Sequence, residues 1–239
     1  MDYNEFTKVV DEKERGLELQ AAFPALMRKV YGWMALALVI TGLTSFMVAS
    51  SPALVQAIYG NSIAFWVLMI AEFGIVWYVS ARIDRLSIMS ATVWFTIYSV
   101  LNGAVLSFVF LAYTMTSITQ VFFITAGTFG AMAFIGTTTK RDLTKFGGIL
   151  LMGLIGIIIA SIVNLFVGSS MFDLILSYIG VLLFVGLTAW DAQQIKRALY
   201  MAPDAGESAQ KIALLGALNL YLDFVNLFLY LLRIFGRDN

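Results

Sequence analysis

Three acidic residues stand in stretches too apolar to hold a charge cheaply: Glu72, Asp191 and Asp223. A carboxylate at the centre of a membrane helix costs about 2.5–3.5 kcal/mol on insertion scales, so such groups mark proton relays, ion paths or ligand counter-ions. Their neighbours repeat at helical spacing. Asn219, Asp223, Asn226 and Tyr230 follow at steps of four, three and four, and Thr188, Asp191 and Gln194 recur every three residues, each set lying on one helical face. Two helices that each carry one polar stripe turn those stripes toward each other or toward a water-filled cavity. For the Asn and Thr, a plain role in hydrogen-bonding helices together competes with this reading. Two aspartates point to function.

No Lys or Arg lies deep in any apolar stretch to neutralise these acids. Asp191 precedes Lys196 by five residues, about 7.5 Å along a helix at its usual rise. Arg82 ends another apolar stretch at similar depth, and an arginine can snorkel inward to meet a carboxylate. The competing reading makes Arg82 an ordinary anchor beside Arg85. Glu72 lies mid-stretch with no partner assignable from sequence. Asn102 and Asn164 are candidates for hydrogen bonding to it or for packing. No cofactor is implied.

The elements that must hold these residues are membrane helices. Of the 239 residues, 60% are hydrophobic and 13% charged, against roughly 45–50% and about 25% in soluble domains. From Leu86 through Thr139, and again from Val30 through Ala71, no Asp, Glu, Lys or Arg occurs. The alternating segments of a membrane β-barrel are absent. The fold class is an all-α integral membrane protein. Seven spans are expected, at about 30–49, 62–81, 88–111, 118–137, 146–167, 174–195 and 212–232. Residues 1–28 read as a cytosolic tail, 29–236 as the transmembrane domain and 237–239 as a C-terminal tail. Leu17 to Met27 suits a membrane surface, and Pro24 argues against one unbroken helix there. Gly127-x-x-Gly130 and Gly153-x-x-Gly156 read as helix-packing positions.

Lys and Arg set the orientation. The stretch before the first span carries five (Lys8, Lys13, Arg15, Arg28, Lys29), the 2–3 loop two (Arg82, Arg85), the 4–5 loop three (Lys140, Arg141, Lys145) and the 6–7 loop three (Lys196, Arg197, Lys211), while the intervening loops carry none. The N-terminus is therefore expected in the cytosol. Seven crossings then put Arg233 and Arg237 outside, against the rule. A re-entrant seventh segment would avoid that, but its length favours a full span.

Much chemistry is excluded. With no Cys and no His, there is no disulfide, no thiolate, no Cys/His zinc site and no Ser-His or Cys-His pair. Lys+Arg and Asp+Glu number 15 each, leaving no basic surplus for nucleic acid. An intramembrane aspartyl protease would need Gly-x-Gly-Asp, whereas Thr-Ala-Trp precedes Asp191 and Leu-Tyr-Leu precedes Asp223. The chain does not read as an enzyme.

Three segments carry a resemblance: Ala126–Leu143 (AGTFGAMAFIGTTTKRDL), Thr188–Lys196 (TAWDAQQIK) and Leu220–Gly236 (LYLDFVNLFLYLLRIFG). With them the chain resembles the bacterial branch of the Bax inhibitor motif-containing transmembrane family. That resemblance implies seven helices around a central seventh and a pH-sensitive calcium leak. It implies a proton-sharing pair at Asp191 and Asp223, an arginine latch on Asp191 matching Arg82, and an intramembrane glutamate matching Glu72. A bacterial inner-membrane location follows.

Calcium or other cations, protons and the bilayer are thus the expected partners; calcium takes about six to eight oxygens, so Asp191, Asp223 and a few amides would make a weak, transient site for it. Asn219, Asn226, Thr188, Gln194 and Glu72 are expected to line or support the path. Two further readings stand beside the leak: a proton-coupled secondary transporter, and a non-conducting modulator of membrane proteases or a stress response through an unidentified membrane partner.

Overall fold

A computed structural model describes residues 3–237; most of the expected C-terminal tail, 237–239, lies outside the described residues. The chain forms helices α1 (Tyr3–Ala49), α2 (Pro52–Tyr59), α3 (Ser62–Arg82), α4 (Ile88–Leu106), α5 (Phe108–Ala112), α6 (Met115–Thr138), α7 (Thr144–Val167), α8 (Ser170–Tyr200) and α9 (Glu207–Phe235). In hydrocarbon a helix is the form that satisfies its backbone from within one segment. Seven stretches are long and apolar enough to cross a membrane, with α4 and α5 together making one of them. Each expected span is found, the later six with ends moved by at most a few residues; the first belongs to a much longer helix that reaches back through residues expected as a tail.

Polar residues punctuate the helices. The side chains of Asn61, Ser87, Thr114 and Ser169 accept from backbone N–H groups in the first turns of α3, α4, α6 and α8, as helix N-termini require. Gly168 ends α7 at a φ of 67°, a left-handed conformation that glycine adopts without penalty. The third span breaks at Ser107. There Tyr59 reaches over from α2, donating to the Val105 carbonyl at 2.7 Å and accepting from Phe108 N at 3.1 Å. One phenol thus satisfies both a carbonyl and an N–H at the break.

The bundle is built around α9, which packs against α1, α4, α6 and α8. Buried residues make up 61% of its most apolar window, against 6% for α7. The fully buried Leu214, Leu220, Tyr221, Leu227 and Leu232 all come from α9. α3 packs mainly on α4, and α7 on α8, as outer helices. Backbones come close where glycine allows it. A Cβ on Gly136 would stand 2.1 Å from the Ala189 carbonyl oxygen, so α6 and α8 touch main chain to main chain.

Two sequence expectations are corrected here. A Cβ on Gly127, Gly130 or Gly156 would meet nothing within 4 Å; these glycines face outward, and of the two motifs Gly153 alone abuts a side chain, that of Leu183. Nor does Pro24 break α1, which runs through it. The lost hydrogen bond is offset by packing: Leu19, Leu26 and Met27 are buried and Phe23 stacks on Tyr200 at 4.7 Å.

α9 runs the full depth of the bundle. At one end Lys29 donates to Gln210 at 3.1 Å and Lys211 to the Asp84 carbonyl at 3.4 Å. At the other, Arg233 pairs with Asp173 at 3.3 Å, and Thr114 N donates to the Arg237 carbonyl at 3.1 Å. A re-entrant hairpin would bring both ends of α9 to one side. The seventh segment is a full span.

Candidate functional site

The carboxyls of Asp191 on α8 and Asp223 on α9 lie within hydrogen-bonding reach of each other. Asp223 is 4% exposed, Asp191 half-buried, and Asp223 Oδ2 has no hydrogen-bond partner. Sequence spacing put each aspartate on its helix; the α8–α9 packing joins them. Two carboxylates this close, away from water, cannot both carry charge cheaply. The bare dianion would attract a cation.

Among the described residues no cation reaches the pair. Among the described residues the side-chain salt bridges are Arg197–Asp142, Lys211–Glu207 and Arg233–Asp173. Arg82, expected against Asp191, is exposed, with its guanidinium carbon 6.0 Å from the Tyr78 ring centroid. The reason is architectural: α3 packs chiefly on α4 rather than on α8. This structure does not form the latch contact. Nor do the described residues contain a cluster of three or more acids able to hold a metal ion.

The two polar stripes meet only at their aspartates. Thr188 is fully buried and spends its hydroxyl on the Phe184 carbonyl at 2.7 Å, and Asn226 donates to the Leu222 carbonyl at 2.8 Å. Gln194 turns toward the start of α7, donating to Thr144 Oγ1 at 3.2 Å. Asn219 is half-buried. Tyr230 stacks on Phe184 with centroids 5.8 Å apart.

Just below Asp191, the α6–α7 loop is fastened to α8. Gln193 accepts from Leu143 N at 2.8 Å and donates to the Arg141 carbonyl at 2.9 Å. Lys196 donates to the Thr137 carbonyl at 2.7 Å. Arg197 pairs with Asp142 at 2.7 Å and also contacts Thr144 Oγ1. Hydrogen bonds from the Thr144 backbone and side chain, then from Arg197, hold the Asp142 carboxyl down at about 2. The sequence reading passed over Gln193; its place beside a stripe residue gave no signal, because its partners are backbone groups of another loop.

A second polar system runs across the bundle. Glu72 on α3 is 7% exposed, and its Oε1 has no hydrogen-bond partner. The Asn102 side chain on α4 lies beside the Glu72 carboxyl. Tyr221 on α9, fully buried, donates to Asn102 Oδ1 at 2.9 Å. Its oxygen lies 2.6 Å from Thr41 Oγ1 on α1, which donates to the Ser99 carbonyl at 3.0 Å. Each hydroxyl has one hydrogen. With that of Tyr221 committed to Asn102, the Thr41 hydrogen is shared between the phenol oxygen and Ser99. The hydrogen bonds thus point from Thr41 through Tyr221 to Asn102, linking α1, α9 and α4. Tyr221 and Thr41 were not singled out from sequence, since a Tyr and a Thr inside apolar runs carry no mark of their own.

Comparison with known proteins decides the lineage. The family described as "Inhibitor of apoptosis-promoting Bax1" matches residues 24–239. The chain belongs to that family. Within it, the chain is 44% identical to inner membrane protein YbhL of Escherichia coli K12 over 219 residues, 91% of this chain and 94% of that one. It is 43% identical to a protein of Borreliella burgdorferi over 211 residues, covering 88% and 91% of the two chains. Identity to RP147 of Rickettsia prowazekii is 40% over 233 residues, 98% of each. The resemblance in the three segments is thus one of membership, and the chain is a multi-pass membrane protein of the Bax inhibitor type.

Proposed function

We propose that the chain is a pH-sensitive cation leak, calcium among its cargo, in a bacterial inner membrane with the N-terminal end of the bundle in the cytosol. The observation that carries this reading is the Asp191–Asp223 pair: a half-buried and a buried carboxyl within hydrogen-bonding reach, one on the central helix, with no cation at bridging distance among the described residues. A proton held between them ties α8 to α9. Losing it leaves two like charges that repel each other and attract a cation, so one titration both loosens the helix contact and creates a weak cation site. Weak binding suits conduction, since an ion must leave as readily as it enters. The location is supported by the printed name of the Escherichia coli relative, and the orientation by the alternation of basic and empty loops.

The test uses the full chain in liposomes loaded with a calcium-sensitive dye, with influx read across roughly pH 5–8. Asp223→Asn keeps the shape of the side chain but exchanges no proton, so its influx should lose the pH dependence of the unmodified protein. Arg82→Ala is the companion variant and should leave the profile unchanged, because Arg82 touches no carboxylate. An unaltered profile in Asp223→Asn removes the pair from the mechanism.

A further inference from the structure

A cavity of about 370 Å³ lies between α1, α5, α6 and α9, in the half of the bundle that ends at the α5–α6 joint. Its size falls in the range of small-molecule sites, about 300–1,000 Å³. No charged side chain lines it, and Phe122, Phe224 and Phe228 form much of its wall.

Its polar atoms define the ligand by what they withhold. The hydroxyls on its lining belong to Thr41, Ser45 and Thr119. Each already donates to a backbone carbonyl: Thr41 to Ser99 at 3.0 Å, Ser45 to Gly103 at 2.7 Å and Thr119 to Met115 at 2.9 Å. A polar ligand would enter with groups left unpaired, at a cost. A hydrocarbon chain loses nothing.

The surroundings supply that chain. Phe123 and Met115 belong to the lining yet are 69% and 56% exposed. The wall therefore continues without a break into the outer apolar surface of a membrane-spanning helix. What lies against that surface in a bilayer is acyl chain. Transfer from lipid gains nothing from leaving water, so the driving force is close packing against aromatic walls, which an empty cavity would forfeit. At roughly 30 Å³ for a group the size of a water molecule, the space holds on the order of a dozen methylenes.

We propose that this cavity binds one acyl chain of a bilayer phospholipid, entering between α1 and α6. The inference does not depend on the leak. Gly42 supplies the means of testing it, because it lines the cavity and a Cβ placed there meets nothing within 4 Å. Gly42→Phe fills the space without moving a neighbour's backbone. Thr119→Phe fills it from α6, and Gly127→Phe adds the same ring to an open position on α6 outside the lining.

The full chain and each variant are reconstituted in phosphatidylethanolamine–phosphatidylglycerol vesicles. These contain a small fraction of phosphatidylcholine carrying a diazirine on one acyl chain; after irradiation, adducts are mapped by peptide mass spectrometry. Adducts should concentrate on residues 118–123 and 224–228, and fall several-fold in Gly42→Phe and Thr119→Phe but not in Gly127→Phe. Equal labelling in a folded filling variant, or adducts spread evenly over α7 and the other outer faces, overturns the proposal. So do protein–protein adducts at Phe123, which mark a second copy as the occupant. Labelling by a photoreactive free fatty acid but not by the phospholipid overturns the bilayer source.

Discussion

Removing the phenol hydroxyl of Tyr221 while keeping its ring tests the chain that links α1, α4 and α9. Tyr221→Phe leaves the ring between Phe95 and Tyr98, whose centroids lie 6.0 and 5.8 Å away. Asn102 Oδ1 loses its donor at 2.9 Å in a site 8% exposed, and a stranded buried acceptor costs about 1–3 kcal/mol. Thr41 is not stranded, because its hydroxyl still donates to Ser99. Thr41→Val removes the other hydroxyl but leaves the Tyr221–Asn102 bond whole. Its cost should be that of an ordinary interhelical hydrogen bond in a membrane protein, about 0.6 kcal/mol. For a chain of this size each kcal/mol moves Tm by about 2–4 °C. Tyr221→Phe should thus lower Tm by about 2–12 °C and Thr41→Val by about 1–2 °C. The double variant should cost less than the sum of the two, since the Thr41–Tyr221 contact is already gone and only the Thr41–Ser99 bond remains to be lost. Thermal unfolding of the purified protein in detergent, followed by tryptophan fluorescence, reads all three. Equal costs for the two single variants, or a double variant equal to their sum, would refute the direction assigned to the chain.

Gly136→Ala puts a Cβ 2.1 Å from the Ala189 carbonyl oxygen, well inside the 3.0 Å that real Cβ contacts respect. With backbone on both sides, α6 and α8 must part, at about 1–3 kcal/mol; Tm in detergent should fall, while Gly127→Ala leaves it unchanged. The Asp142 carboxyl, held at about 2, lies below the ordinary value of about 3.9. Its contribution is therefore complete above about pH 4 and lost as pH falls toward about 2, so the hydrogen-exchange protection of the Thr144 amide should drop over that window and Asp142→Asn should abolish the pH dependence. The absence of cysteine makes single-Cys labelling clean. In intact cells an impermeant maleimide should reach Ser170→Cys, but reach Met201→Cys, at the other end of α8, only after permeabilisation; the reverse pattern inverts the orientation.

The helices were readable because hydrocarbon imposes one requirement on every span, and a long uncharged run satisfies it. The Asp191–Asp223 pair was readable because charge in such a run is conspicuous. What sequence did not carry is which helices touch. Arg82 and Asp191 were matched by depth, but depth along the membrane normal says nothing about position around the bundle, and α3 lies on the far side of α4. The outward glycines misled for a related reason: spacing reports a shared face, and Gly127 and Gly130 share one that meets no helix. Gly136 makes the close approach with no motif to announce it. Pro24 failed as a helix stop because buried Leu19, Leu26 and Met27 outweigh one missing hydrogen bond.

The continuity of α1 has a mechanical side. From Lys13 to Ala49 it has 37 residues, about 55 Å at the usual rise, against roughly 30 Å of hydrocarbon. The surplus lies on the Lys13 side, where Leu19, Leu26 and Met27 are buried and Phe23 stacks on Tyr200 at the end of α8. One unbroken helix therefore joins that outer packing to Thr41, and through the Thr41 hydroxyl to Tyr221 on the central helix.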